Sequence, residues 1–389
     1  MLYSYLLLYL FESPVKYLGF AQNFIYLGYL KDLLGFILIF YFFVINKPKL
    51  FEAITVFIIL SYIVFEFFLG HSIETSVFGF KEYVPLIIGF LYWRKILNLG
   101  FFSDFAFWVI LLGLVLEFYY VQLPWIGAEF NIMNYDVLGS KIVFAYDVIK
   151  RHSGFSPLYT MANCWISFYF VLSYFKASKI SYKLCLILGL LFSAYLTYVR
   201  TEIVAILLFF MFSVFLTNKK QIKKNYILFI YILFILVPFL VPFSIYLEFF
   251  NNNILDNMEM AETLIGRLFH QWPEIHKLIY GTSMFFGLGP GLVGPGKFFG
   301  SLEFNLIGEL IDNQFLYSIL SFGIFALLIY IFLLKHILNY KIKNSYLENT
   351  IFGLVIFTFT LGIMQNFDPG LMLGFGVIFG YFKGNNEIR

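Results

Sequence analysis

Residues 184–216 read LCLILGLLFSAYLTYVRTEIVAILLFFMFSVFL, apolar throughout except for one short island, Thr197-Tyr-Val-Arg-Thr-Glu202. A helix needs about 20 apolar residues to cross the hydrocarbon of a bilayer, so this run suits two passes and is too long for one. The island is where the chain must turn. A cation at such depth is costly unless it is paired or faces a polar cavity, which makes Arg200 a functional candidate. Pairing with Glu202, or simple snorkelling to the interface, is the alternative.

The rest of the chain is built in the same way. Of its 389 residues 61% are hydrophobic and only 13% charged, against roughly 25% charged in a soluble domain. Runs such as 32–45 and 226–247 are apolar on every face, whereas a membrane barrel needs short strands of alternating polarity. The reading is an all-α polytopic membrane protein, a single membrane domain over residues 1–389.

Lys and Arg are retained on the cytoplasmic side, so their clusters orient the chain. They fall at Lys47 and Lys49, Arg94 and Lys95, Lys176 to Lys183, Lys219 to Lys224, Lys335 to Lys343, and Lys383 with Arg389. Placing all of them inside requires spans at 32–46, 51–69, 78–93, 101–123, 155–175, 183–199, 201–217, 225–248, 312–334, 350–366 and 370–382. A further span over residues 1–22 makes about twelve helices with both ends cytoplasmic. Glu12, Pro14 and Lys16 make that span the weakest. Residues 1–9 lack a charged leader and a cleavage site, so they read as a retained helix and not a signal peptide. Two substantial segments are left outside, 124–153 and 248–311, the latter a large loop between the ninth and tenth helices. Long connections of this kind tend to be functional, and 258–280 is amphipathic enough to lie along the interface.

Several chemistries are excluded. The net charge of +3 is spread over many loops and forms no nucleic-acid stripe. Cys164 and Cys185 sit inside apolar runs and read as packed thiols. His270 and His276 are six apart and do not make a helical zinc pair, so no metal and no cofactor is expected. Gly291 to Lys297 has Walker A spacing, but Phe298 stands where a Ser or Thr must hold magnesium. Glu66 and Glu117 lie in spans, where neighbouring polar side chains or a proton relay would account for them.

The polar residues that remain collect on the outer side in four short patterns: Arg151-x-x-Gly154 with Pro157; Thr197-x-x-Arg200-Thr201; Gly266-Arg267 with Trp272, His276 and Gly287-x-Gly289; and Asp312-Asn313 followed after nine residues by Gly323. Guanidinium groups match phosphate oxygens and stay charged at any relevant pH, so arginines beside a bilayer suit a lipid-linked diphosphate.

In order and placement these patterns resemble the O-antigen polymerase and ligase superfamily, membrane glycosyltransferases that act on glycans carried by undecaprenyl diphosphate. The last pattern is similar to a ligase motif of His-Asn, nine residues and Gly, but here Asp312 holds the histidine position and Ala326 replaces a second glycine. That departure favours a polymerase. The resemblance implies a GT-C-like fold in the bacterial inner membrane and transfer of a glycan from its lipid diphosphate to the next repeat unit at the periplasmic face. Arg200 and Arg267 would stabilise the departing diphosphate, and Asp312 would orient or deprotonate the acceptor hydroxyl. Arg151, Trp272, His276, Gly289 and Asn313 would bind substrate. Lipid-linked glycans, the bilayer and a chain-length regulator are the implied partners. A lipid-linked oligosaccharide flippase, an O-antigen ligase, a peptidoglycan polymerase and a non-catalytic scaffold are the rival readings.

Overall fold

The structure is a computed structural model that describes residues 1–22, 24–46, 48–68, 73–119, 152–216, 219–237, 272, 275, 283–290, 313–341, 345–363, 365 and 368–386. Every regular element among them is a helix. They run α1 (Leu2–Leu10), α2 (Glu12–Ala21), a 3-10 turn (Ile25–Tyr29), α3 (Leu30–Ile45), α4 (Leu50–Phe68), α5 (Ile73–Lys81), α6 (Val84–Leu97) and α7 (Phe101–Tyr119). Next come α8 (Tyr159–Lys176), α9 (Ile180–Thr197), α10 (Arg200–Met211), a π-turn (Phe212–Leu216) and α11 (Lys220–Leu236). The last are the short α12 (Ser283–Phe286), then α13 (Gln314–Phe322), α14 (Ile324–Asn339), α15 (Tyr346–Gly362) and α16 (Pro369–Asn386).

The chain is a membrane protein. Among the described residues, Tyr26–Ile45, Phe101–Tyr119 and Ile180–Thr197 are helical stretches long and apolar enough to cross a bilayer. The polar island of 197–202 does fall between two helices, α9 and α10. Both present large apolar side chains outward, among them Leu188, Tyr195 and Leu207.

Three expected spans are each divided in two. Residues 1–22 break at Phe11, because Pro14 has no N–H to continue the ladder to Leu10. The Ser13 N–H leaves the helix as well and donates to Phe155 O at 2.9 Å. Charges that would burden a continuous span are paired there instead: Glu12 Oε1 lies 2.6 Å from Lys16 Nζ and 2.7 Å from Lys31 Nζ. The expected span 78–93 is interrupted at Glu82 and Tyr83, with Pro85 in the first turn of α6, where its missing N–H leaves nothing unsatisfied. The expected span 312–334 is interrupted at Gly323, whose φ of +56° ends α13 and redirects the chain into α14.

A close backbone approach joins α6 to α16. A Cβ on Gly376 would stand 2.1 Å from Leu86 O, and one on Gly89 would stand 2.4 Å from Leu373 O. Lipid offers helices no hydrophobic drive to associate, so close contact through small residues is what holds them. Gly376→Val is therefore expected to cost about 1–3 kcal/mol by forcing the helices apart. Thermal unfolding in detergent checks this, with Gly376→Ala falling between wild type and Val.

The bundle has two distinguishable ends. Helix α1 starts beside Arg94 and Lys95, and the α1–α2 junction meets the turn around Phe155. The turns that carry Arg200 and Asn313 lie at the second end.

Candidate functional site

The turn at 152–157 is fastened by a buried carboxylate. Glu117, near the end of α7 and 3% exposed, accepts the Ser153 N–H at 2.6 Å and the Gly154 N–H at 2.7 Å. His152 Nδ1 lies 3.7 Å from its other oxygen. Charge-assisted bonds to backbone N–H groups are among the stronger ones available. The expected partners of Glu117 were side chains, yet backbone donors satisfy it. Gly154 has φ +60°, and a Cβ there would stand 2.8 Å from the backbone of Gly113 and Leu114, so only glycine fits. Two residues earlier, the His152 N–H donates to Leu196 O at 3.1 Å, which seats the turn on the last turn of α9.

Helix α9 ends there in a left-handed residue. Tyr198 has φ 55° and ψ 33°, and its N–H closes on Ala194 O at 3.0 Å. Val199 is extended, and α10 then begins at Arg200, which is exposed. Glu202, within the first turn, points the other way and is 0% exposed. It accepts hydrogen bonds from Asn163 Nδ2, from Ser193 Oγ at 3.2 Å, and from Ser167 Oγ and Thr197 Oγ1 at 3.5 Å each. The alternative reading of an Arg200–Glu202 pair is not what forms. The carboxylate is spent on fixing the turn to α8 and α9, and Arg200 is exposed.

Thr160, Asn163, Cys164 and Ser167 follow one another at i, i+3, i+4 and i+7, a polar stripe along an otherwise apolar α8. Asn163 and Ser167 reach Glu202, as above. The others reach the loop before α16: Thr160 Oγ1 donates to Asp368 Oδ1 at 3.3 Å, and Cys164 Sγ to Gln365 Oε1 at 2.9 Å. Asp368 is 2% exposed and directly precedes Pro369, the first residue of α16. Sequence reasoning missed both Asp368 and the role of Glu202. The stripe on α8 and an Asp-Pro pair opening a helix were the signals that could have found them.

The spacing of Asn313 and Gly323 is the length of one short helix with its two caps. Asn313 Oδ1 accepts the Leu316 N–H at 2.9 Å, capping α13, while its Nδ2 donates to Ile363 O at 2.9 Å. Gly323 closes the other end. Against that end lies the glycine turn, whose Leu288 and Gly289 N–H groups donate to Leu320 O at 2.7 Å and Ser321 O at 3.0 Å. These carbonyls belong to the last turn of α13, which has no helical donor of its own to offer them. Gly287 and Gly289 have φ of +73° and +89°, and a Cβ on Gly289 would stand 2.1 Å from Glu66 Oε1. The glycines thus bring backbone against a helix end and a buried carboxylate. Asn313→Ala removes both bonds of the amide and is expected to cost about 1–3 kcal/mol, measurable as a lower unfolding temperature.

The expected site residues therefore divide into groups. Arg200 is exposed at the turn. Gly289 and Asn313 are buried and do architectural work, and Trp272, expected to bind substrate, is 0% exposed. Arg151, Arg267, His276 and Asp312 lie outside the described residues, as do nearly all of 124–153 and 248–311. What the structure brings together is a continuous set of contacts. It runs from Glu117 through the 152–157 turn to α9, through Glu202 to α8, across Cys164 to the 363–368 loop, and by Asn313 to α13 and the glycine turn.

Residues 184–331 match a protein-family model described as O-antigen ligase. The match takes in Arg200, Glu202, the glycine turn, Asn313 and Gly323. No curated protein and no solved structure matches the chain.

Proposed function

We propose that this protein is a membrane glycosyltransferase that polymerises undecaprenyl-diphosphate-linked oligosaccharide repeat units at the periplasmic face of the bacterial inner membrane. The observation that carries this reading is Arg200. It is an exposed guanidinium on a turn locked by four neutral donors to Glu202, within the segment that matches the family model. A fixed cation of this kind suits charge that develops during reaction, because it needs no reorganisation when the charge appears.

In the proposed reaction an acceptor sugar hydroxyl attacks the anomeric carbon of the donor glycan. The bond from that carbon to the diphosphate oxygen breaks, its electron pair leaves with the lipid diphosphate, and the hydroxyl proton passes to a carboxylate. Arg200 and Arg267 meet the charge on the leaving group, Arg151 holds a lipid diphosphate, and Asp312 takes the proton. Asp312 stands in a histidine position of the ligase pattern, and this favours a repeat-unit acceptor.

The description of the matching family model favours a second reading, in which the acceptor is lipid A core. Supplying purified protein with a lipid-linked donor and each acceptor in turn separates the two. Products of increasing length with the repeat unit alone support polymerisation, and transfer only to lipid A core supports the ligase.

A further inference from the structure

The end of the bundle away from the site holds a second feature. Helix α6 departs from helical geometry at Tyr92, with φ −106° and ψ 15°. Its last turn, together with α1 and α3, lines an open cavity of about 560 Å³, within the roughly 300–1,000 Å³ of small-molecule sites. The cavity is amphipathic. Leu2, Leu38 and the Tyr92 ring make an apolar wall, and the Tyr92 hydroxyl is used inside the fold, donating to Leu38 O at 2.9 Å.

Arg94, Lys95 and Asn98 form the lip, and no Asp or Glu lines the cavity among the described residues. Both cations are exposed and backed by aromatic faces, Arg94 at 5.0 Å from the Trp93 ring and Lys95 at 5.5 Å from Tyr92. Asn98 Nδ2 donates to Arg94 O at 2.9 Å and steadies the end of the helix. Two cations above an apolar wall are complementary to a phosphate that carries acyl chains. Guanidinium binds phosphate through two parallel bonds, and the wall receives the first part of a chain. The positive-inside rule puts this lip at the cytoplasmic surface, where anionic lipids set the surface potential.

We propose that this cavity is a binding site for an anionic phospholipid of the cytoplasmic leaflet. The site is separate from the glycosyl-transfer reading and stands without it. The test is native mass spectrometry of the full-length protein in neutral detergent with phosphatidylglycerol, phosphatidylcholine or inorganic phosphate. Phosphatidylglycerol is expected to bind roughly thirtyfold more tightly than phosphatidylcholine, the factor that two surface cations supply together. An R94Q/K95Q double variant should bring the two lipids level. Asn98→Asp, which adds an acid to the lip without touching the cations, should also weaken phosphatidylglycerol selectively. A K335Q/K341Q variant, with exposed lysines removed elsewhere on the same surface, should leave the preference intact. The proposal is overturned by equal retention of both lipids in wild type, by equal loss in the K335Q/K341Q control, or by phosphate alone displacing the lipid, which would mark a free-anion site.

Discussion

Replacement of Arg200 by Ala is expected to lower the rate of glycan polymerisation by about 10²–10³-fold, the usual loss when one preorganised group facing developing charge is removed. The side chain is exposed and opens α10 without contributing to its core, so folded protein should remain at wild-type abundance. Arg200→Lys keeps the charge but loses the planar two-point contact with phosphate, and should recover only part of the rate. Polymer formed per unit of folded protein, with the lipid-linked repeat unit saturating, is the quantity to measure. A full-rate Arg200→Ala enzyme would remove Arg200 from the mechanism.

Glu202→Ala is expected to damage both stability and rate. Ser193 Oγ and Thr197 Oγ1 have backbone carbonyls to fall back on, Leu190 O at 2.8 Å and Ser193 O at 2.9 Å. Asn163 Nδ2 and Ser167 Oγ lose the acceptor that holds them. Unsatisfied buried donors cost about 1–3 kcal/mol each, so a loss of roughly 2–6 kcal/mol follows. The left-handed turn at Tyr198 also loses its tie to α8, so activity per folded molecule should fall as well. Glu202→Gln preserves shape and one acceptor oxygen and should be much milder in both respects. Thermal unfolding combined with the polymerisation rate separates the two effects. If Ala and Gln behave alike, the carboxylate is not what fixes the turn.

Much of the architecture is legible in hydropathy because the solvent is lipid. The apolar run 32–45 and the two halves of 184–216 become helices at nearly those limits, the expected span 101–123 is helical over its described residues 101–119, and the island at 197–202 holds the turn between α9 and α10. Hydropathy is blind to breaks that occur inside apolar sequence. Phe322-Gly323-Ile324 carries no polar mark, so only the positive φ of Gly323 reveals that two helices meet there. The break at Phe11 was more readable, since Pro14 and two charges flanked it.

The site was legible in the same uneven way. Sequence picks out residues whose type is costly in a membrane, so Arg200 was visible at once. It does not say where a side chain points, so pairing of Arg200 with Glu202 stayed open as an alternative, whereas Glu202 faces α8. The motif of Asn313 and Gly323 was visible as a spacing, and its physical meaning, a helix fastened at both caps, required the fold. Trp272 was chosen for its flat ring, and a sequence does not say that this ring is buried.

The claim that most needs testing is the transfer reaction itself. Purified protein is incubated in detergent with a labelled undecaprenyl-diphosphate-linked repeat unit and no nucleotide, and both the glycan lengths and the released lipid diphosphate are followed. A ladder of lengths, with one lipid diphosphate released per bond formed, is the predicted result. Intact substrate, from folded protein given its own repeat unit, would contradict the account and favour movement of the lipid-linked glycan over its chemistry.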